Sequence, residues 1–132
     1  MKWIRVILVL IISVILLAVL YFSLYFFLSR DIEDVRVKGL VFDSTEGRPL
    51  SNVKVIIRNE RYESDAGKMN YDEYLGHDQI VVYTDSKGFF SCELKKSAFL
   101  WLIFSKAGYE KYIEPGKNTN KNMQYRIVLK RK

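Results

Sequence analysis

One cysteine and one histidine stand among the 132 residues, and each scarcity removes a class of chemistry. Cys92 has no second thiol with which to close a disulfide, and one cysteine with one histidine cannot assemble a zinc site. Metallopeptidase ligation of the His-Glu-His kind has only His77 to draw on. No glycine-rich phosphate loop leads into a helix, because no helical period is visible past the N-terminal segment. No metal, no cofactor and no catalytic set is therefore expected, and the chain reads as no enzyme.

Charge of one sign is less concentrated than the total suggests. The net charge is +6, yet Lys2, Arg5 and Arg30 flank an apolar run, and Lys130, Arg131 and Lys132 form the tail. The remaining cations are scattered among acids instead of clustering with aromatic residues, so nucleic acid is not an expected partner. The basic tail reads as a solvated end.

What the chain has in abundance is an apolar stretch at its start. From Val6 to Leu28 no residue is charged, and Ser13 and Ser23 are the small polar side chains within it. A helix of that length covers about 35 Å, enough for a hydrocarbon core of about 30 Å. Trp3 stands at one end, and Tyr21, Phe22, Tyr25, Phe26 and Phe27 crowd the other, as aromatic residues do at bilayer interfaces. A cleaved signal peptide has the same basic start, but its apolar region is shorter and ends at small residues, not bulky rings. Residues 1–30 are expected to form a single-pass membrane anchor. Lys2, Arg5 and the α-amino group precede the span, which favours a cytoplasmic N-terminus and a periplasmic or extracellular domain. If the segment is cleaved instead, the domain is secreted.

Residues 31–34 read as a hydrophilic linker and 35–132 as one domain, a size that folds alone. Val35, Val37, Gly39 and Val41 alternate with mostly polar neighbours, and Val53, Val55 and Ile57 repeat the pattern after a turn-rich stretch from Asp43 to Pro49. Ile80 to Tyr83, the turn Thr84 to Gly88, and the alternation Phe90, Cys92, Leu94 predict a hairpin. Phe99 to Phe104 is short and apolar throughout, a strand buried on both sides. Tyr112-Ile113 and Tyr125 to Leu129 complete seven candidate strands, and the fold class is all-β, a sandwich behind one transmembrane helix.

Three segments in order then form a pattern: Gly39-Leu40-Val41-Phe42-Asp43 with Gly47-Arg48-Pro49-Leu50, next Thr84-Asp85-Ser86-Lys87-Gly88-Phe89-Phe90, and last Phe104-Ser105-Lys106-Ala107-Gly108-Tyr109-Glu110. This resembles the carboxypeptidase regulatory-like domain. The resemblance implies a transthyretin-like or prealbumin-like fold, a seven-stranded antiparallel Greek-key sandwich, and an accessory role without peptidase activity. Ala107 stands where the family usually has proline, and the stretch from Glu60 to Asp78 is longer than a minimal connection.

The expected function is that of a membrane-anchored, non-catalytic accessory or binding module, presenting its sandwich to an envelope protein or a surface glycan. The alternative is a small metal-dependent protein or enzyme using the acidic loop 60–78, through Asp72, Glu73, His77 and Asp78. Tyr62, Tyr71 and Tyr74 in the same loop are candidate binding residues, since tyrosine is enriched at interfaces, although such rings also cover a sandwich end.

Overall fold

A computed structural model describes residues 1–28, 30–70 and 72–132, and its contacts divide the chain into two units, Met1–Arg30 and Asp31–Lys132. In the first unit α1 spans Lys2–Leu28 with no buried residue, and it is long and apolar enough to cross a membrane. Ser13 does not interrupt it, because its hydroxyl donates to the Val9 carbonyl at 2.8 Å within the helix. A helix of this kind fits a membrane anchor and a signal sequence alike.

The second unit is β throughout its regular elements: β1 (Ile32–Asp43), β2 (Lys54–Arg61), β3 (Gly76–Tyr83), β4 (Phe89–Ser97), β5 (Phe99–Ser105), β6 (Tyr112–Asn118) and β7 (Asn122–Leu129). They form two sheets, β4-β1-β7 and β3-β2-β5-β6. Alternation puts Val35, Val37 and Val41 of β1 inward, with Met123, Tyr125, Ile127 and Leu129 of β7 beside them. Val55 and Ile57 meet them from β2, and Leu100, Leu102 and Phe104 from β5 are fully buried. Between the sheets Phe90 of β4 meets Phe104 of β5 edge to face, with centroids 5.7 Å apart.

Three expectations are corrected. The sandwich is not wholly antiparallel, since β1 pairs with β4 antiparallel but with β7 parallel, Gly39 standing opposite Tyr125. Two-residue alternation fixes which side of a strand is buried and carries no information on the direction of its neighbour. The segments around Thr84 to Gly88 are not a hairpin either: β3 pairs with β2, and β4 with β1, so the turn crosses from one sheet to the other. Its local chemistry is nevertheless that of a tight turn, with Asp85 Oδ1 accepting from the Lys87 and Phe89 amides at 2.9 and 3.0 Å. Gly88 has φ +75°, and a Cβ there would meet the Val41 carbonyl oxygen at 2.6 Å, so glycine is required twice over. Finally, the hydrophilic stretch read as a linker is mostly strand, with Ile32 opposite Ser97 and Glu33 opposite Lys96. Asp31 joins it to the fold, its carboxylate accepting from the Tyr62 and Glu63 amides at 2.8 and 3.2 Å.

The buried apolar residues all lie between Val35 and Leu129, so residues 31–132 contain the whole core. The fragment 31–132 is expected to fold without α1 and to give a β-type circular dichroism spectrum; helix or coil in that spectrum contradicts the fold. Within it, Gly39 is fixed by close approach, because an added Cβ would overlap the Phe90 ring. Gly39→Val is expected to lower stability by about 1–3 kcal/mol through overpacking. An unchanged urea midpoint would show that Phe90 yields at no cost.

Candidate functional site

Buried polar groups in a small sandwich either close the structure or await a ligand, and their hydrogen bonds separate the two cases. Thr84 Oγ1 donates to the Leu50 carbonyl at 2.6 Å and accepts from the Val53 amide at 2.9 Å. Ser97 and Thr119 share a hydrogen bond of 2.7 Å. Both sets join connections to strands and leave nothing to offer a ligand.

Asp43, 2 % exposed at the end of β1, is more heavily engaged. Its Oδ2 accepts from the Tyr109 hydroxyl at 2.7 Å and from Arg131, with Nε at 2.8 Å and Nη2 at 2.7 Å. Its Oδ1 accepts from the Thr45 amide at 2.7 Å. The Tyr109 hydrogen bond, helped by the Thr45 amide and Arg131 against the cost of burial, holds this carboxyl well below the usual carboxylate range. Asp43 thereby ties β1 to the turn after β5 and to the residues after β7. Arg131 is not part of a solvated tail, since it also forms a bridge to Tyr109 through the backbone.

At the opposite end of β1 the situation reverses. Two buried side-chain atoms have no hydrogen-bond partner among the described residues, Asn59 Oδ1 and the Tyr125 hydroxyl, and Asn59 lines a cleft. Burial pushes the Tyr125 phenol up to about 12 and keeps it neutral. The cleft has a volume of ≈ 630 Å³ and lies where β2 and β3 of one sheet face β4 of the other. Asn59 is 2 % exposed, and its Nδ2 donates to the Lys96 carbonyl at 2.8 Å and to Asp78 Oδ2 at 3.2 Å. Reversing the amide would set its oxygen against the Asp78 carboxylate, so the free acceptor is Oδ1. Arg61 completes one wall, its Nε donating to Asp78 Oδ2 at 2.8 Å and its Nη2 to Asp65 at 2.6 Å. These two carboxylates hold the Arg61 guanidinium firmly ionised. Lys96 pairs with Glu63 on the other wall, and Ile80 and Leu94 supply the apolar part of the lining.

Reading β2 as ending at Arg58 conceals this site. Carried two residues further, the alternation of Val55 and Ile57 sets Asn59 and then Arg61 on the core side, and a polar residue at an inward position is the signal. The same period on β3 brings Asp78 in line with Ile80 and Val82.

The residues singled out from sequence are dispersed. The loop 60–78 is shorter than expected, because Glu60 pairs with His77, Asn59 with Asp78 and Arg61 with Gly76 as strand residues. His77 projects to the outer surface, where Glu60 engages its ring, while Asp78 points inward. Among the described residues no three His, Cys, Asp or Glu side chains are grouped to hold a metal ion, so Asp72, Glu73, His77 and Asp78 do not form the metal-dependent site considered above. Tyr62 and Tyr74 do meet, with ring centroids 5.0 Å apart, and Tyr74 stacks on Phe99 at 6.1 Å. Tyr71 lies outside the described residues.

No family model matches the chain, and no curated protein matches it. Solved structures do share its fold. Catechol 1,2-dioxygenase from Acinetobacter sp. ADP1, inhibited by bound mercury, aligns with a TM-score of 0.57 at 14 % identity over 75 % of this chain and 53 % of that one. For 3-chlorocatechol 1,2-dioxygenase from Rhodococcus opacus 1CP the values are 0.51, 17 %, 75 % and 60 %. The dioxygenase domain of a dioxygenase carbohydrate-binding protein fusion from Streptomyces sp. SirexAA-E gives 0.52, 11 %, 76 % and 81 %. The chain therefore spans little more than half the length of the first two.

These neighbours correct the expected function. A non-catalytic accessory module, and with it the reading as no enzyme, was inferred from missing catalytic residues and from an accessory family; solved structures that share this fold include catechol dioxygenases. The sandwich itself thus excludes no catalysis. Activation of dioxygen generally enlists a redox metal or organic cofactor. The donor set does not fit a resident metal: the sole His77 faces outward beside Glu60, and Cys92 lies on β4, where burial raises its thiol pKa.

The Asp43 cluster yields a pH prediction. Its folded carboxyl titrates below the ordinary 3.8, so on acidification the unfolded chain takes up this proton first. The stabilisation is complete above that ordinary value and is lost as pH falls through the lower, folded one. Asp43→Asn is expected to reduce stability at neutral pH and to flatten the fall in urea midpoint below pH 3.8. Equal acid slopes in the two proteins would separate Asp43 from acid unfolding.

Proposed function

We propose that the chain is a membrane-anchored β-sandwich that holds a small polar ligand or substrate in the cleft between β2, β3 and β4, with Asn59 at its base. The observation that carries this reading is the buried Asn59 Oδ1, an acceptor with no partner among the described residues, in a cleft of ≈ 630 Å³. Leaving such an atom unsatisfied costs about 1–3 kcal/mol, a cost that a ligand donating a hydrogen bond removes. The complementary ligand carries an N–H or O–H donor for this acceptor, since the charges around it are already paired, Arg61 with Asp65 and Asp78 and Lys96 with Glu63. Tyr62 and Tyr74, whose rings meet each other and, through Tyr74, Phe99, are in this proposal a separate ring surface outside the cleft.

Residues 1–30 are the single-pass anchor in this proposal and the remainder one domain, with the N-terminus cytoplasmic and the domain outside. The apolar span and the cations Lys2 and Arg5 ahead of it support that orientation. The domain is related in this reading to the transthyretin-like, Greek-key carboxypeptidase regulatory-like group. Its support is that the three resembling segments converge: Asp43 accepts from Tyr109, and Gly88 fits against the Val41 carbonyl.

Two measurements test these statements. In the fragment 31–132, millimolar glycinamide or ethanolamine is expected to shift the NMR signals of the Asn59 side-chain amide and Arg61 Nε–H, and Asn59→Leu to abolish the Arg61 response while retaining the β-type spectrum. Silence of both signals to both probes contradicts the cleft reading. Protease added to sealed vesicles with the outer face exposed is expected to degrade the domain and spare a tag placed ahead of Lys2; the reverse pattern inverts the orientation.

A further inference from the structure

The outer face of the four-stranded sheet is ordered in rows that cross its strands. Ile56 stands opposite Val81 on one side and Ile103 on the other, and Ile103 stands opposite Ile113. Val81, Ile56, Ile103 and Ile113 form one aliphatic row over β3, β2, β5 and β6, its ends 41 % and 53 % exposed at Val81 and Ile113. On one flank Arg58 stands opposite Gln79 and Trp101, its guanidinium 4.9 Å from the indole centroid. On the other flank Lys54 stands opposite Tyr83 and Ser105. Beyond that flank the sheet ends in a second cleft, of ≈ 430 Å³, lined by Lys54, Lys106, Lys111 and Lys132 and by no carboxylate side chain. The one acid on the neighbouring row, Glu60, is engaged by His77.

Cations of one sign around an apolar row complement an anionic surface with an apolar depth. A bilayer of acidic lipids has both. Tyr83 and Trp101 are residue types that favour the headgroup region.

We infer that this face docks on the anionic lipid surface of the membrane, with the aliphatic row at the acyl boundary and lipid phosphates among Lys54, Lys106 and Lys111. The charge and apolar pattern belongs to residues 31–132 alone. Docking would also concentrate the ligand cleft at the membrane surface.

The test uses the full chain with Trp3→Phe, which leaves Trp101 as the sole tryptophan, in nanodiscs of phosphatidylcholine with or without phosphatidylglycerol. Brominated acyl chains are expected to quench Trp101 in discs containing phosphatidylglycerol, and to lose that effect in phosphatidylcholine alone. Lys54→Glu with Lys111→Glu is expected to abolish the quenching, and Val81→Asn with Ile113→Asn to weaken it at unchanged charge. Equal quenching in both lipids, or quenching indifferent to all four substitutions, overturns the proposal. So does equal shielding of Trp101 from acrylamide when polyglutamate or inorganic phosphate is added to phosphatidylcholine discs, since these outcomes assign the face to an acidic protein or a free anion. Cosedimentation of the fragment 31–132 with phosphatidylglycerol vesicles requires no anchor; binding there beside an inverted protease pattern supports docking and removes only the orientation.

Discussion

The edge-to-face contact of Phe90 with Phe104 across the sandwich is the joint on which the domain closes, and Gly39 makes room for it. Each sheet has one face it must bury, and these two rings bring the faces together where a side chain on β1 would hold them apart. The core residues of β1, β2, β5 and β7 gather around that contact. Its two ends then differ in kind. At one, Asp43 is saturated by Tyr109, Arg131 and the Thr45 amide, and the sheets are fastened. At the other, Asn59 and Arg61 replace the aliphatic residues of the same inward row, and the sheets part around a polar cleft.

Much of the fold was legible because alternation needs no partner to be recognised. Val53, Val55 and Ile57, and the row from Tyr125 to Leu129, disclose their buried side within a few residues. Strand direction and sheet membership were not legible: the turn from Thr84 to Gly88 has the same chemistry whether the strands beside it pair or, as here, belong to opposite sheets. The cleft was missed for another reason. The alternative reading singled out Asp72, Glu73, His77 and Asp78, of which Asp78 lines the cleft, whereas the informative residue was the single amide of Asn59 at a position reserved for the core. The Tyr109 hydroxyl is spent on Asp43, a partner 66 positions away that no local pattern announces.

Likeness to the dioxygenases lies in the frame, and the frame is indifferent to what is mounted on it. In this chain titratable groups are grouped where the sheets meet or part, not around a set of imidazoles and thiols. Hydrogen-bonding and charged groups line the cleft at one end of the four-stranded sheet, and lysines line the other. Those two surfaces lie toward different ends of β2, so occupation of one leaves the other free.

The parallel ladder between β1 and β7 has a mechanical meaning. The chain of the domain enters at the start of β1, and β7 leaves the ladder at Leu129, opposite Asp43 at the far end of β1. Tension between those points pulls the two strands lengthwise in opposing senses, so the rungs from Arg36 to Asp43 are strained together and none can be unzipped ahead of the others. The ladder is thereby built to resist stretching between the start of β1 and the end of β7.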